Sequence, residues 1–339
     1  MQALDSLSAS APASPTKRPP RARRTEAMTP KIRLEIQPLP RWARPRGADP
    51  AAAAFSAGAG LALFDQILRG ADGGEPVYAG CLRQRLALRA ADSCATLCRL
   101  REDAAALRDA EHLAGSGETS PAGRLHRVFR LYASKGERPD AAILRAAGLL
   151  GLNEAIDASA LAEAATTALD PVTAAARASA AAMKHCPPST DAEIFAFVVA
   201  DFALARRLDW PRPVPLLAVA MAHPSLRRGV GGRRPRPSDA DWPAAVAFAY
   251  GLAVVEAHAL AVDLARRALK ILSVAPVLRA KSARRVVDML LGDDAVTPAA
   301  AAARTGMSDR AARRLFDRLV TLGAARELTG RENFRIYGL

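Results

Sequence analysis

Over residues 51–273, apolar side chains recur at intervals of three and four, and a large share of them are alanine. That spacing lays an apolar stripe along a helix, and alanine is the residue that enters a helix at least cost. Half of the 339 residues are apolar but only 5% are aromatic, so the chain has material for a sizeable core, and strands should be few. The expected fold class is all-α: a multi-helix body closed by a C-terminal winged helix-turn-helix with a small β-hairpin wing.

The segments of the body read one by one as helices. "LALFDQILRG" places Leu61, Leu63, Phe64, Ile67 and Leu68 largely on one side and stops at Gly70. "CLRQRLALRAADSCATLCRL", "AGRLHRVFRLYASKG", "DAAILRAAGLLG", "NEAIDASALAEAATTAL" and "DAEIFAFVVADFALARRL" follow, separated by glycine or proline, and a longer helix starts at Trp242 after "SDADWP". The expected boundaries are a disordered basic tail over residues 1–50, a helical body over 51–275 and the winged helix over 276–339. The tail, with "PTKRPPRARR" and nine prolines, cannot bury enough apolar surface to offset its ordering entropy. It reads as a solvated tail, or as residues ahead of a start at Met28, with a basic arm on nucleic acid as the alternative.

The closing stretch is the most informative. In "PVLRAKSARRVVDMLLGDD", Val286, Val287, Leu290 and Leu291 share a face; Thr297 then caps "PAAAAARTG", with Pro298 in the first turn. Ser308 is the expected cap of a third helix. At about 100° per residue, Ala311, Ala312, Leu315, Leu319 and Leu322 gather on one side, opposite Arg310, Arg313, Arg314, Asp317 and Thr321. Gly306 permits the reversal before that helix and Gly323 ends it. "AAREL" and "NFRIY" then flank "TGRE", where Gly330 supports a hairpin turn.

Three helices and a hairpin make a winged helix-turn-helix, whose third helix reads the major groove. Double-stranded DNA is therefore the expected partner, with Ser308, Arg310, Arg313, Arg314, Arg331 and Arg335 as its binding residues, because arginine bonds guanine bidentately and phosphate electrostatically. The charge agrees: the whole chain carries +14, of which residues 1–50 hold +6 (ten basic, four acidic) and residues 276–339 hold +5 (twelve basic, seven acidic). Few lysines, six among 48 basic residues, leave base-composition bias as the bland source of that charge. A second candidate is "HPSLRRGVGGRRPRPSD", residues 223–239, where Arg227, Arg228, Arg233 and Arg234 sit among glycines and prolines as a phosphate-binding loop or a solvated connector.

The wing "RELTGRENFRIYG" resembles the winged-helix tail at the C-terminus of many bacterial Fic proteins. Over nearly the whole chain after the tail, "LALFDQILRG", "RQRLALRAADSCATL", "REDAAALRDAEHL", "GRRPRPSDADWP" and "MSDRAARRLFDRL" with "ELTGR" resemble the bacterial domain-of-unknown-function family 1403. That likeness implies the domain layout and no activity. The Fic likeness calls for a check of the catalytic loop, HPF, an acidic residue, then GNGR. "HPSLRRGVGGRR" has Ser225 for phenylalanine, no carboxylate for a metal, no asparagine and the wrong spacing, so His223 is expected to be a surface histidine.

Cys94 and Cys98 stand one turn apart, but Cys81, His112, His126, His185 and Cys186 supply no second pair for zinc, so no metal and no cofactor is expected. No Walker loop or nucleophile elbow occurs. The charges in "REDAAALRDAEHL" read as a solvated helix face, with a buried polar network as the alternative. The charge-free runs over residues 50–64 and 242–255 fall short of a membrane span, and no secretory leader opens the chain, so a cytoplasmic protein without membrane contact is expected. The expected function is DNA binding by a regulatory or mobile-element protein that is not an enzyme, its body serving as homodimer interface or sensor. A protein-interaction scaffold is the alternative, and a degenerate Fic-like enzyme the third reading.

Overall fold

Four helix starts along this chain share one recipe, a polar cap followed by proline. Asp49 accepts the Ala52 N–H at 2.8 Å with Pro50 in the first turn; Ser120, Asp170 and Thr297 cap helices that begin with Pro121, Pro171 and Pro298. The computed structural model describes residues 36–47, 49–70, 73–113, 120–134, 136–152, 156–166, 168–227, 232–278, 282–331 and 333–339. Most of the expected tail, residues 1–35, lies outside them. Ile32–Leu339 is one compact unit. Leu39 and Ala43 are already buried ahead of residue 51.

The elements run α1 (Pro50–Leu68), α2 (Ala79–Leu97), α3 (Ala104–Leu113), α4 (Pro121–Arg130), α5 (Pro139–Leu149), α6 (Ala158–Thr166), α7 (Pro171–His185), α8 (Thr190–Arg207), α9 (Leu217–Ala220) and α10 (Trp242–Val274). They close with α11 (Ala283–Gly292), α12 (Pro298–Thr305), α13 (Asp309–Thr321), β1 (Arg326–Glu327) and β2 (Tyr337–Gly338). The protein is all-α with one small β-hairpin wing. α1 lies along α10, α7 along α8 and α2 along α4, so the core is a stack of helix pairs around α10.

Among the described residues two helices, α1 and α10, are long and apolar enough to cross a membrane by length and composition. The charge-free runs of the sequence understated this, since Asp65 and Glu256 interrupt each run without ending its helix. The most apolar window of the α10 segment is 72% buried among the protein's own helices, as a core helix requires. A methyl at Gly60 on α1 would lie 3.1 Å from Val254 on α10, which measures how closely the two backbones approach.

The closing elements pack as the sequence predicts, with two corrections, to the α13 stripe and to the strand lengths. Val286, Val287, Leu290 and Leu291 are buried against the body. On α13, however, the buried residues are Ala312, Phe316 and Leu319; Leu315 and Leu322 are half-buried and Ala311 is exposed. The stripe is centred on the Ala312–Phe316–Leu319 spacing of four and three, and the Phe316 ring stacks on Tyr337 of the hairpin with centroids 4.5 Å apart and planes at 14°. The strands are shorter than "AAREL" and "NFRIY": Arg326 pairs with Gly338 and Glu327 with Tyr337, antiparallel. Val296, between α11 and α12, exchanges both backbone hydrogen bonds with Tyr337 at 2.7 and 2.9 Å, so the hairpin is tied to the helices at its base.

Candidate nucleic-acid interface

α12 ends at Gly306, whose left-handed φ of 72° turns the chain toward α13. Ser308 then caps α13 by accepting the Ala311 N–H at 3.3 Å. With Ala312, Phe316 and Leu319 turned inward, helical geometry leaves Arg310, Arg313 and Arg314 outward. All three are exposed, and none has a hydrogen bond or ion pair among the described residues. Arg318 is exposed on the same ridge, four residues beyond Arg314. Sequence reasoning left it out, although the 310–314–318 spacing is the signal that finds it.

The wing turn is organised by Glu327, whose carboxylate accepts the N–H groups of Thr329 at 2.8 Å and Gly330 at 3.0 Å. Partial burial pushes the Glu327 carboxyl up, but these donors outweigh it and hold it below the usual range. Gly330 takes φ +62° as the turn requires. Arg335 stays exposed and donates through Nε to the Arg331 carbonyl at 3.0 Å. Arg331 is not the free wing-tip cation the sequence suggests: it pairs with Asp109 of α3 at 2.6 Å, its side chain still 54% exposed. Phe334 combines a left-handed φ of 56° with 76% exposure. A non-glycine residue held there costs roughly 1 kcal/mol or more, and no local turn signal marks it. It rims a cleft of about 660 Å³ lined by His112, Pro298, Asp309, Arg313 and Tyr337.

The charges of α3 are not a solvated face. Arg108 and His112 each lie 3.3 Å from the Asp294 carboxylate, and Arg130 of α4 reaches Asp293 at 3.1 Å and Asp294 at 3.2 Å. Burial pushes the Asp294 carboxyl up, yet the hydrogen bond from His112 and the guanidinium of Arg130 outweigh it and hold it well below the usual range. The ligand atoms of His112, Asp293 and Asp294 lie within 4.8 Å of one another, but both carboxylates already face guanidinium groups, which meets their charge without a metal.

Among the described residues of the arginine loop before α10, Arg233 and Arg234 are engaged by carboxylates. Arg234 forms a two-pronged ion pair with Glu193 of α8, one arm at 2.7 Å, and lies 5.8 Å above the Phe197 ring. Glu193, only 4% exposed, requires that counter-charge. Arg233 pairs with Asp239 at 2.9 Å; Arg227 is exposed, and Arg228 lies outside the described residues. His223 is exposed and its Nδ1 accepts the Ser225 N–H at 3.2 Å. Cys81, Cys94, Cys98 and Cys186 are unlinked thiols, and burial pushes Cys81 up to about 12.

No curated protein matches the chain. The profile of the family described as protein of unknown function DUF1403 matches residues 21–339, and the chain belongs to that family.

Proposed function

We propose that the protein binds double-stranded DNA through a C-terminal winged helix-turn-helix, with α13 as reader helix and the β1–β2 hairpin as wing. The observation that carries this reading is the set of Arg310, Arg313 and Arg314, exposed along one helix and without a salt bridge among the described residues, with Asp309 and Asp317 four residues either side of Arg313 as the acidic groups on the same helix. Arg108, Arg130 and Arg331 pair with carboxylates, whereas Arg304 and Arg318 are exposed like the three. A row of unpaired guanidinium groups repels itself and is relieved by a polyanion. In a major groove the N-terminal residues of α13 face base edges, where each bidentate arginine–guanine pair supplies about 1–3 kcal/mol of discrimination. Ser308 and Arg335 add backbone contacts, and Arg331 joins them by exchanging Asp109 for a phosphate. The helical body serves dimerisation or sensing, and no catalysis is assigned to it.

Replacing Arg310, Arg313 and Arg314 together by alanine should lower duplex affinity at least about a hundredfold with the helical fold retained, read by fluorescence anisotropy and circular dichroism. Wild-type affinity should fall linearly with the logarithm of salt concentration. No retention of duplex by the wild type at low salt dismisses the reading. Docking of a protein partner is the second reading, favoured by the exposed Phe334 at the rim of its cleft. It predicts a partner whose binding is lost in Phe334→Ala and is nearly insensitive to salt.

A further inference from the structure

A second basic surface lies at the other end of α13, where the body meets the base of the hairpin. A cleft of about 220 Å³ opens there between α10 and the segment from Gly323 to Arg326. Its walls carry Arg266, Arg267, Lys270 and Arg326 against the single acidic side chain of Asp263. Asp263 is already bound by Arg267 at 2.7 Å, and Arg326 donates to the Leu339 main-chain oxygen at 3.1 Å. Arg266 and Lys270 remain. They stand four residues apart on one face of α10, both exposed, with no side-chain hydrogen bond or ion pair among the described residues.

We infer that this cleft is a second phosphate-binding site, formed by Arg266, Lys270 and Arg326, which grips the DNA backbone beside the groove that α13 enters. The inference rests on the DNA-binding reading and adds the body to the footprint. Distance favours it. Thirteen residues of α13 span about 20 Å at 1.5 Å each, while the major groove is about 12 Å wide. A reader helix with Arg310 at base edges therefore carries its far end over the flanking backbone. Lys270 is at that end, its side chain 4.0 Å from where a methyl on Gly323 would be. The carbonyl end of α13 opposes an anion with roughly half a charge, but with Arg267 held by Asp263 and Arg326 by the Leu339 oxygen, Arg266 and Lys270 still leave a positive excess. The crowding is also felt by Arg326, lowered by burial first and then by Arg267 and Arg85.

The test is anisotropy titration of a duplex of about 20 base pairs over a series of salt concentrations, with the full chain. Arg266→Ala/Lys270→Ala should bind about tenfold more weakly, and its log–log salt slope should be shallower by about 1.8, since each lost phosphate contact removes about 0.9. Both side chains are exposed, so the fold should be unaffected. Arg138→Ala/Arg145→Ala, at the start of α5 and on it, removes the same charge elsewhere and should leave affinity and slope within about twofold of wild type. Equal losses in the two double variants, or an unchanged slope in Arg266→Ala/Lys270→Ala with the wild type binding, overturn the inference alone. A wild type that binds no duplex at low salt overturns it together with the reading beneath it.

Discussion

His126 on α4 is fully buried with both ring nitrogens lacking a partner among the described residues. Burial lowers its pKa from 6.5 to about 4, so it is a neutral ring in the core at physiological pH. Asp201 on α8 is the opposite case. It accepts hydrogen bonds from Tyr132 and Tyr250 at 3.2 and 3.1 Å and from the Leu216 and Leu217 N–H groups at 3.1 and 3.0 Å. Burial still wins, and its pKa rises from 3.8 to about 7. Between pH 4 and 6.5 the unfolded chain takes up the His126 proton more readily, so that group makes stability rise with pH. Over the same interval the folded chain holds the Asp201 proton more tightly, so that group makes stability fall as pH rises. The two slopes oppose each other. His126→Leu should remove one of them: urea titrations should show the variant losing up to about 3 kcal/mol from pH 4 to 6.5, at about 1.4 kcal/mol per unit, while the wild type changes less. Identical pH slopes in the two proteins would dismiss this balance.

At the scale of elements, α2 and α11 meet backbone to backbone. A methyl on Gly80 would stand 2.7 Å from the Gly292 carbonyl oxygen and 2.9 Å from its Cα, and main chain cannot turn aside as a side chain can. Gly80→Ala should therefore cost about 1–3 kcal/mol in thermal or urea unfolding; an unperturbed midpoint would show that the helices do not approach so closely. Nothing local in the sequence announces that contact, because Gly80 is at an ordinary helix start and its reason lies 212 residues along the chain. What was legible is what local chemistry decides. Ser308, Thr297, Gly306 and Gly323 mark the ends of α12 and α13 by capping and left-handed turns. Periodicity found the outward arginines, and the inward stripe is equally legible, since Ala312, Phe316 and Leu319 recur at intervals of four and three; what the sequence hides is that the Phe316 ring meets Tyr337 across the module. The role of Arg331 is hidden because its counter-charge, Asp109, comes from a distant helix.

Across the whole molecule, those long-range contacts converge on the link between α11 and α12. Asp294 is 1% exposed and is held by Arg108 and His112 of α3 and Arg130 of α4, while its backbone oxygen lies 2.7 Å from a methyl built on Gly338 of the hairpin. The body thus grips the closing module at the point where α12 and the hairpin come together. The neighbouring Arg331–Asp109 pair, more than half exposed on the arginine side, adds about 1 kcal/mol at most. Asp294 is different, because removing its charge leaves three basic side chains around a buried site. Asp294→Ala should lower stability by about 3–5 kcal/mol. It should also separate one unfolding transition into two in calorimetry, the closing module melting before the helical body. Because the carboxyl is held well below the usual range, the grip should persist at neutral and mildly acidic pH and weaken only below about pH 4, where unfolded carboxylates take up protons. If Asp294→Ala melts in one transition at the wild-type temperature, the module is held by its apolar contacts alone, and α13 keeps its orientation without the charge network.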